Sequence, residues 1–189
     1  DKSSVDPGYI RGYVPGVREN GGQYTHGAVW AAMAFAALGD SERAWELLTM
    51  INPVNHGRSV DGIATYKAEP YVVAADLYAL PPHIGRAGWS WYTGSAGWTY
   101  RLILESLLGL RREGERLHLT PCLPADWSEL KIHYRYREAT YHIVLTQTRS
   151  DGDLVGVTRV MLDGVEQGDR TIPIFDDRKE HLIEVVVRA

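Results

Sequence analysis

The stretch GVRENGGQYTHGAVW, residues 16–30, decides the fold of the first half of the chain, because it places charge, glycines and an imidazole at the start of an apolar helix. Backbone N–H groups at a helix start lack partners and the helix dipole is positive there, so such an end binds anions, above all phosphate. Gly21 and Gly22 let the backbone approach a ligand closely, and His26 lies in the predicted first turn. The stretch therefore predicts an anion site at this helix start.

A second stretch, GWSWYTGSAGW (residues 88–98), has the same design: aromatic residues, then Thr-Gly-Ser, then another apolar helix. Thr93 and Ser95 supply hydroxyl groups there. A helical bundle that brings the two helix starts together would hold one phosphate from two sides. The residue types leave an alternative equally open, in which Thr25, Thr93 and Ser95 are only N-caps.

The first half of the chain has the residue spacing of helices. Residues 25–38 are apolar nearly all round, which predicts a buried helix. GDSER (residues 39–43) ends this helix and begins a second one that runs to about Ile51. A third helix is predicted over residues 69–80, where two prolines end it. A fourth is predicted from the apolar spacing within residues 96–110.

The second half alternates apolar and polar residues with the period of half-buried strands. Strands are predicted over residues 130–136, 139–148 and 181–189, and Asp163-Gly164 predicts a tight hairpin turn. This half should form a small antiparallel sheet or sandwich.

Helices first and strands second predict an α+β chain, with a helical domain over residues 1–113 and a strand domain over residues 114–189.

The net charge is −4 with both signs mixed, which leaves no basic face for nucleic acid. The longest apolar run, residues 28–38, is too short to cross a bilayer, so we expect no membrane contact by this segment. Cys122 is the only cysteine, which excludes an intrachain disulfide.

Six Trp and eleven Tyr against two Phe suit stacking on sugar rings, although packing of the core is an equally simple explanation. The sequence has no phosphate-binding Walker loop, no dinucleotide fingerprint and no histidines at metal-ligand spacing. We therefore expect no metal and no organic cofactor. TGSAG (residues 93–97) has its serine one place off a nucleophile elbow and no strand before it, which disfavours a serine hydrolase.

Four long stretches carry a family resemblance. They lie in family order at residues 15–30 (PGVRENGGQYTHGAVW), 51–58 (INPVNHGR), 69–78 (EPYVVAADLY) and 85–101 (GRAGWSWYTGSAGWTYR). Together they resemble the inverting β-glycoside phosphorylases of glycoside hydrolase family ninety-four. The similarity is greatest to the phosphorylase-like C-terminal region of cyclic β-1,2-glucan synthases.

The resemblance implies a fold and a reaction. The fold is the C-terminal helical hairpins of an (α/α)6 barrel, followed by a small antiparallel β-sandwich. Members of the family cleave a β-glucoside with inorganic phosphate as co-substrate and release α-glucose 1-phosphate with inversion. Inversion needs a carboxylic acid on one face of the sugar, with the nucleophile on the other. Phosphate is already an anion, so fixed donors around it matter more than a general base.

The resemblance also implies roles for five residues. The phosphate-binding positions of the family correspond to His26, Thr93 and Gly94, and its sugar-contacting pair corresponds to Arg18 and Glu19. Arg18 stands where cellobiose-specific members have Lys, and a planar fork of donors differs from a point charge in what it recognises.

Ala75 bears on the identity of the substrate, and the general acid of the family is not expected in this chain. Ala75 stands about where cellobiose phosphorylases carry a sugar-binding Gln, which favours β-1,2-glucan over cellobiose. The general acid of the family is an Asp on a segment upstream of the Arg-Glu-Asn-Gly-Gly motif, so no catalytic residue is expected in this chain. Without a proton donor the rate falls by a factor of about 100 to 10,000. We expect the chain to be inactive alone.

The sequence leaves several readings open. The chain is expected to belong to a larger polypeptide or to self-associate, in the cytoplasm and within a parent anchored at the inner membrane. The alternative to an enzyme fragment is a non-catalytic module that binds glucan or phosphate. A third reading, an inverting hydrolase, needs a carboxylate base in place of phosphate donors, and His26 with Thr93 disfavours it.

Overall fold

A computed structural model describes residues 5–91, 93–148 and 156–188, and the side chain of Thr93 lies outside this description. The described residues form two compact units. One takes in the residues up to Leu38 and from Arg43 to Leu102, and the other takes in Gly39–Glu42 and the residues from Ile103 onward. Helices dominate the first unit and strands the second, so the chain is α+β as predicted. The domain boundary after residue 113 stays a prediction.

The first unit contains a short 3₁₀ turn, five helices and a two-stranded sheet. In chain order they are the 3₁₀ turn Gly8–Gly12, β1 (Gln23–Tyr24), α1 (Thr25–Ala37), α2 (Ser41–Ile51), α3 (Pro53–His56), α4 (Val60–Tyr66), β2 (Asp76–Leu77) and α5 (Thr93–Arg101). The first two predicted helices are confirmed as α1 and α2, each within two residues of its predicted bounds.

The prediction that the first helix is buried all round is wrong. α1 buries Thr25, Val29 and Ala32, which lie on one face of the helix. Trp30 on another face is 53% exposed. The composition of α1 is apolar throughout, so the pattern gave no sign of which face the unit would cover.

The helix predicted over residues 69–80 is also wrong, because this segment is extended and contains β2. β2 pairs antiparallel with β1, and the N–H of Thr25 donates to the carbonyl of Ala75 at 2.8 Å. On the other side, the N–H of Ala75 donates to the carbonyl of Trp89 at 2.7 Å. Neighbouring segments on both sides supply hydrogen-bond partners for the backbone N–H and C=O of Ala75, and this tertiary pairing outweighs the local preference for a helix.

The fourth predicted helix is shorter than expected. α5 ends at Arg101, a π-helical turn follows over Leu102–Leu107, and Leu110 already begins a strand. The apolar spacing continues into the strand, so the period alone did not mark the end of the helix.

Where the structure describes it, the second unit has eight strands in two sheets. They are β3 (Leu110–Glu113), β4 (Arg116–Leu119), β5 (Glu129–Tyr136), β6 (Ala139–Thr148), β7 (Gly156–Leu162), β8 (Val165–Glu166), β9 (Thr171–Pro173) and β10 (Glu180–Arg188). The sheet orders are β5-β6-β10-β7-β8 and β3-β4-β9. The three predicted strands are confirmed as β5, β6 and β10, and residue 189 lies outside the description.

The predicted hairpin is confirmed. Leu162 of β7 pairs with Val165 of β8, and Asp163 and Gly164 between them have φ of 49° and 81°. Two successive positive φ angles are the requirement of a type I′ turn, which Asp-Gly meets at low cost.

The expectation of a purely antiparallel sheet is wrong at one pair. β10 runs parallel to β6, with Ile183 opposite Ile143 and Val185 opposite Leu145, and antiparallel to β7. Alternation of apolar and polar residues fixes which face a side chain takes, but it is the same for either direction of the neighbouring strand. The direction was therefore not readable from the sequence.

His181 on β10 is buried and forms a cluster with two partly exposed carboxylates in the second unit. It is 5% exposed, and its Nδ1 lies 2.7 Å from Oδ2 of Asp163 while its Nε2 lies 3.0 Å from Oδ1 of Asp177. Burial alone would lower the pKa of His181, but the hydrogen bonds to both carboxylates raise it above its ordinary value. The hydrogen bond from His181 in turn lowers the pKa of Asp163.

Candidate functional site

His26 lies in the first turn of α1, where the pairing of β1 with β2 fixes the helix start. Its ring packs edge-on against Trp30 at 4.7 Å between centroids and lies 5.8 Å from the ring of Trp98 on α5. The ring nitrogen Nε2 is buried, and within the described residues it has no hydrogen-bond partner. A buried ring nitrogen of this kind is suited to a ligand that completes its hydrogen bonding.

Gly94 lies beside His26. A Cβ atom built on Gly94 would be 3.8 Å from Nδ1 of His26 and 3.9 Å from its Cε1. The starts of α1 and α5 therefore meet at these two residues. The side chain of Thr93, the third predicted phosphate contact, lies outside the described residues.

The alternative in which hydroxyl residues serve only as N-caps can be checked at two positions. The N-cap of α1 is Tyr24, and Thr25 is already helical with its N–H bound to Ala75. Ser95 is the third residue of α5, and its buried Oγ has no partner among the described residues. Neither residue is an N-cap.

Arg18 and Glu19, the predicted sugar contacts, lie next to each other with Nε and Oε2 3.7 Å apart. Arg18 is only 8% exposed. The central carbon of its guanidinium lies over three aromatic rings, at 5.0 Å from Tyr13, 5.8 Å from Tyr24 and 4.6 Å from Trp89. Cation–π attraction therefore holds the charge of Arg18 in one place.

Asp76 was not predicted as part of a site, yet it is 1% exposed and anchors the turn that carries Arg18. Its Oδ2 accepts a hydrogen bond from the backbone N–H of Arg18 at 2.7 Å. Arg18 has a φ of 48°, so this bond stabilises a left-handed backbone conformation that a residue with a Cβ seldom adopts.

Gly88 makes room for that carboxylate. A Cβ on Gly88 would lie 1.9 Å from Oδ1 of Asp76 and 2.8 Å from its Cγ. No side chain fits there, so glycine is a steric requirement at this position. The segment at Gly88 and the segment at Asp76 are also joined by a backbone bond of 2.8 Å from the N–H of Gly88.

Unpartnered polar atoms collect in this part of the first unit. Among the described residues, the buried side-chain atoms without a hydrogen-bond partner include Nε2 and Oε1 of Gln23, Nε2 of His26, Oδ1 of Asp76 and Oγ of Ser95. Protein interiors seldom leave such atoms unpaired, because each costs about 1–3 kcal/mol. Their concentration at β1, β2 and the starts of α1 and α5 indicates a polar ligand site.

Two of these residues, Gln23 and Asp76, were missed from the sequence. A signal existed for Asp76, since it interrupts the apolar run VVAADLY at residues 72–78. A carboxylate inside an apolar run is either bound or functional when it is buried. Gln23 gave no such signal.

Trp89, Trp91 and Tyr92 are candidates from the sequence to stack on a glucan ring, with packing of at least one of them as an equal alternative. Trp89 contacts the guanidinium of Arg18 and is more than half exposed. Trp91 is 73% exposed and has a φ of 60°. Tyr92 lies outside the described residues.

The described residues also bear on a metal site and on a membrane span. In the described part of the chain, no group of three or more His, Cys, Asp or Glu side chains is arranged to hold a metal ion. No helix within the same residues combines the length and apolar character needed to span a membrane.

Comparison with known families decides the relationship. Residues 1–109, more than half of the chain, match the catalytic domain of the glycosyl hydrolase 94 superfamily. The chain belongs to this superfamily. Residues 110–157 match the C-terminal domain of glycosyl hydrolase family 65.

Individual relatives of this glycosyl hydrolase 94 chain agree with the family assignment. It is 45% identical over 169 residues to a cyclic beta-(1,2)-glucan synthase, NdvB, of Rhizobium meliloti, with 89% of the chain and 6% of that protein covered. It is 32% identical over 180 residues to a solabiose phosphorylase of Paenibacillus borealis, with 94% and 23% covered. It is 29% identical over 130 residues to a 1,2-beta-oligoglucan phosphorylase of Listeria innocua, with 61% and 12% covered. The chain thus spans less than a quarter of the length of each of these relatives.

Proposed function

We propose that this chain is the phosphate- and sugar-binding part of an enzyme that phosphorolyses β-1,2-linked glucan with inversion, or synthesises it in reverse. The product of phosphorolysis is α-glucose 1-phosphate. The proposal is supported by family membership and by relatives named for a β-1,2-glucan synthase and a 1,2-beta-oligoglucan phosphorylase. The observation that carries it is the buried, unpartnered Nε2 of His26 beside Gly94 at the start of α5.

In this proposal His26, Thr93 and Gly94 hold inorganic phosphate. His26 donates a ring N–H to a phosphate oxygen, and the start of α5 presents backbone N–H groups with the positive end of its dipole. Gly94 has no side chain between α5 and His26, so the anion can approach the backbone closely. Fixed donors of this kind neutralise charge without reorganising during the reaction.

Arg18 and Glu19 bind the sugar in this proposal. The guanidinium of Arg18 is a rigid fork of donors, and the carboxylate of Glu19 accepts hydrogen bonds from hydroxyl groups. Gln23 adds an amide that both donates and accepts, and both of its polar atoms are buried without a partner in the described residues. A sugar hydroxyl, itself a donor and an acceptor, matches this group.

The chemical step follows from these roles. Phosphate attacks the anomeric carbon from one face, the glycosidic C–O bond breaks, and an acid on the other face protonates the leaving oxygen. Phosphate is the only co-substrate required. We infer from the family resemblance that the acid comes from a segment upstream of Arg18, while Asp76 is bound to the backbone of Arg18 and holds its turn.

The finer architecture is part of the same proposal. The first unit is proposed as the end of an (α/α)6 barrel and the second as a β-sandwich. The helices of the first unit expose large apolar side chains, among them Trp30 on α1 and Val60 and Ile63 on α4. Further helical hairpins of a larger polypeptide, or a second copy, would cover them. We propose that the parent protein works in the cytoplasm and is anchored at the inner membrane.

An assay of the full-length parent tests the proposal. Purified protein is incubated with β-1,2-, β-1,3- and β-1,4-glucan, with and without phosphate, and glucose 1-phosphate is measured. We expect release from β-1,2-glucan only, and only with phosphate. Binding of glucan or phosphate without product would instead establish the alternative, a non-catalytic binding module. Glucose release without phosphate would establish a hydrolase.

A further inference from the structure

A polar cavity of about 210 Å³ opens in the first unit, away from His26, between the end of α4 and the turn that follows residue 81. We call it the basic cavity. Its lining includes Thr65, Lys67, Pro82, His83, Ile84 and Arg86. Two of these side chains are cationic and a third can become so. None of the described residues that line the cavity is acidic.

Backbone hydrogen bonds fix both walls of the basic cavity. The N–H of Ala87 donates to the carbonyl of Tyr66 at 2.9 Å, which ties the second wall to α4. Within that wall, the N–H of Tyr78 donates to the carbonyl of Arg86 and the N–H of Gly85 donates to the carbonyl of Tyr78, each at 2.9 Å. The basic residues are thus presented by a closed frame rather than by a free loop.

The charge in the basic cavity is not compensated by a neighbour that the structure describes. Lys67 is the C-cap of α4 in a left-handed conformation, with a φ of 56°. Over the described residues, neither Lys67 nor Arg86 takes part in an ion pair, whereas twelve charged side chains of the second unit do. Like charges that share one concavity repel each other, and an anion removes this cost.

We propose that the basic cavity binds a phosphate group, as inorganic phosphate or as a phosphate monoester. Arg86 offers a planar fork that matches two phosphate oxygens, and Lys67 adds a point charge. A phosphate dianion neutralises both cationic side chains, whereas a carboxylate carries only one negative charge. Since one water takes about 30 Å³ of liquid volume, the cavity has room for the phosphate group and several waters. The cavity shares no residue with the site at His26 and does not depend on the proposed function.

Amide NMR of the chain, titrated with phosphate, methyl phosphate and acetate, tests this proposal. We expect saturable shifts at residues 64–67 and 82–86 with phosphate, and weaker ones with acetate. Arg86→Gln should weaken phosphate binding at these amides on the order of tenfold, the lower end for a charge-assisted bond because the cavity is open to solvent. The matched control Arg11→Gln removes an exposed arginine elsewhere in the same unit and should leave the affinity unchanged.

The outcomes separate the possibilities. Shifts with phosphate and methyl phosphate alike indicate a site for esters as well as the free ion, and shifts with phosphate alone restrict it to the free ion. His26→Phe should leave these shifts intact. The proposal is overturned when residues 64–67 and 82–86 do not shift, or when these amides in Arg86→Gln report the same phosphate affinity as in the unchanged chain. The NMR spectrum of each variant also reports whether it is folded.

Discussion

Replacing His26 by Phe separates a ligand contact from a packing contact. A Phe ring keeps the packing against Trp30 and Trp98 but removes both ring nitrogens. One hydrogen bond to a charged group contributes about 1.5–3 kcal/mol, and each 1.4 kcal/mol is tenfold in affinity. We therefore expect phosphate affinity at the Gly94 amide to fall about 10- to 150-fold.

Without phosphate, we expect His26→Phe to leave the stability of the protein unchanged or to raise it. Nε2 of His26 is buried without a partner in the described residues, so its removal relieves an unsatisfied group instead of breaking a bond. Without phosphate, His26→Phe should unfold at the same urea concentration as the unchanged chain or a higher one. The stabilisation that phosphate adds through this site should disappear.

A matched control is available at His56, which stacks on Tyr66 at 4.7 Å and whose Nε2 lies 2.8 Å from the carbonyl of Met50. His56→Phe should lower stability by about 0.5–1.5 kcal/mol, through the lost hydrogen bond, with phosphate affinity unchanged. Phosphate titration followed by NMR and urea unfolding measure both quantities. If His26→Phe binds phosphate as tightly as the unchanged chain, His26 is not a phosphate ligand and the reasoning fails.

Two further predictions concern packing and pH. Gly88→Ala would place a methyl group against the buried carboxylate of Asp76, so it should lower the free energy of unfolding in urea by about 1–3 kcal/mol. The control Gly97→Ala lies in open space on α5 and should raise the free energy of unfolding by about 0.5–1 kcal/mol. Equal effects of the two variants would refute the steric explanation. The His181 cluster should stabilise the second unit most between the ordinary pKa values of 3.8 for Asp and 6.5 for His. Its contribution is lost as the pH rises through the raised pKa of His181, and as the pH falls through the lowered pKa values of Asp163 and Asp177. His181→Gln should flatten this profile of unfolding free energy against pH, and an unaltered profile would rule the cluster out as its cause.

The sequence predicted the elements whose signal is local. α2 has an apolar face and a Gly-Asp-Ser start, β5 and β6 alternate over their whole length, and Asp163-Gly164 needs only its own backbone to turn. In each case the residues that form the structure also carry the signal. Long-range partners change little in such segments.

The errors arose where distant partners decide the structure. Residues 69–80 are apolar enough for a helix, but β1 and Trp89 supply hydrogen bonds on both sides of an extended backbone. The parallel direction of β10 depends on the return path of the chain rather than on its alternation. Neither fact is contained in the segment concerned.

The candidate site shows the same division. His26, Thr93, Gly94, Arg18 and Glu19 were named through motifs and family resemblance, and their roles stay predictions. The structure brings His26 and Gly94 together and joins Arg18 to Glu19. The contribution of Asp76 was not predictable, because its importance lies in one hydrogen bond to a residue 58 positions away.

The position of β10 has a consequence for synthesis of the protein. This strand lies in the middle of its sheet, between β6 and β7, although it follows both of them in the chain and so leaves the ribosome after them. Until residue 188 has emerged, the apolar side chains of β6 and β7 have no central strand to pack beside. Until then the strand edges of the nascent second unit stay unpaired, and they can bind chaperones or aggregate.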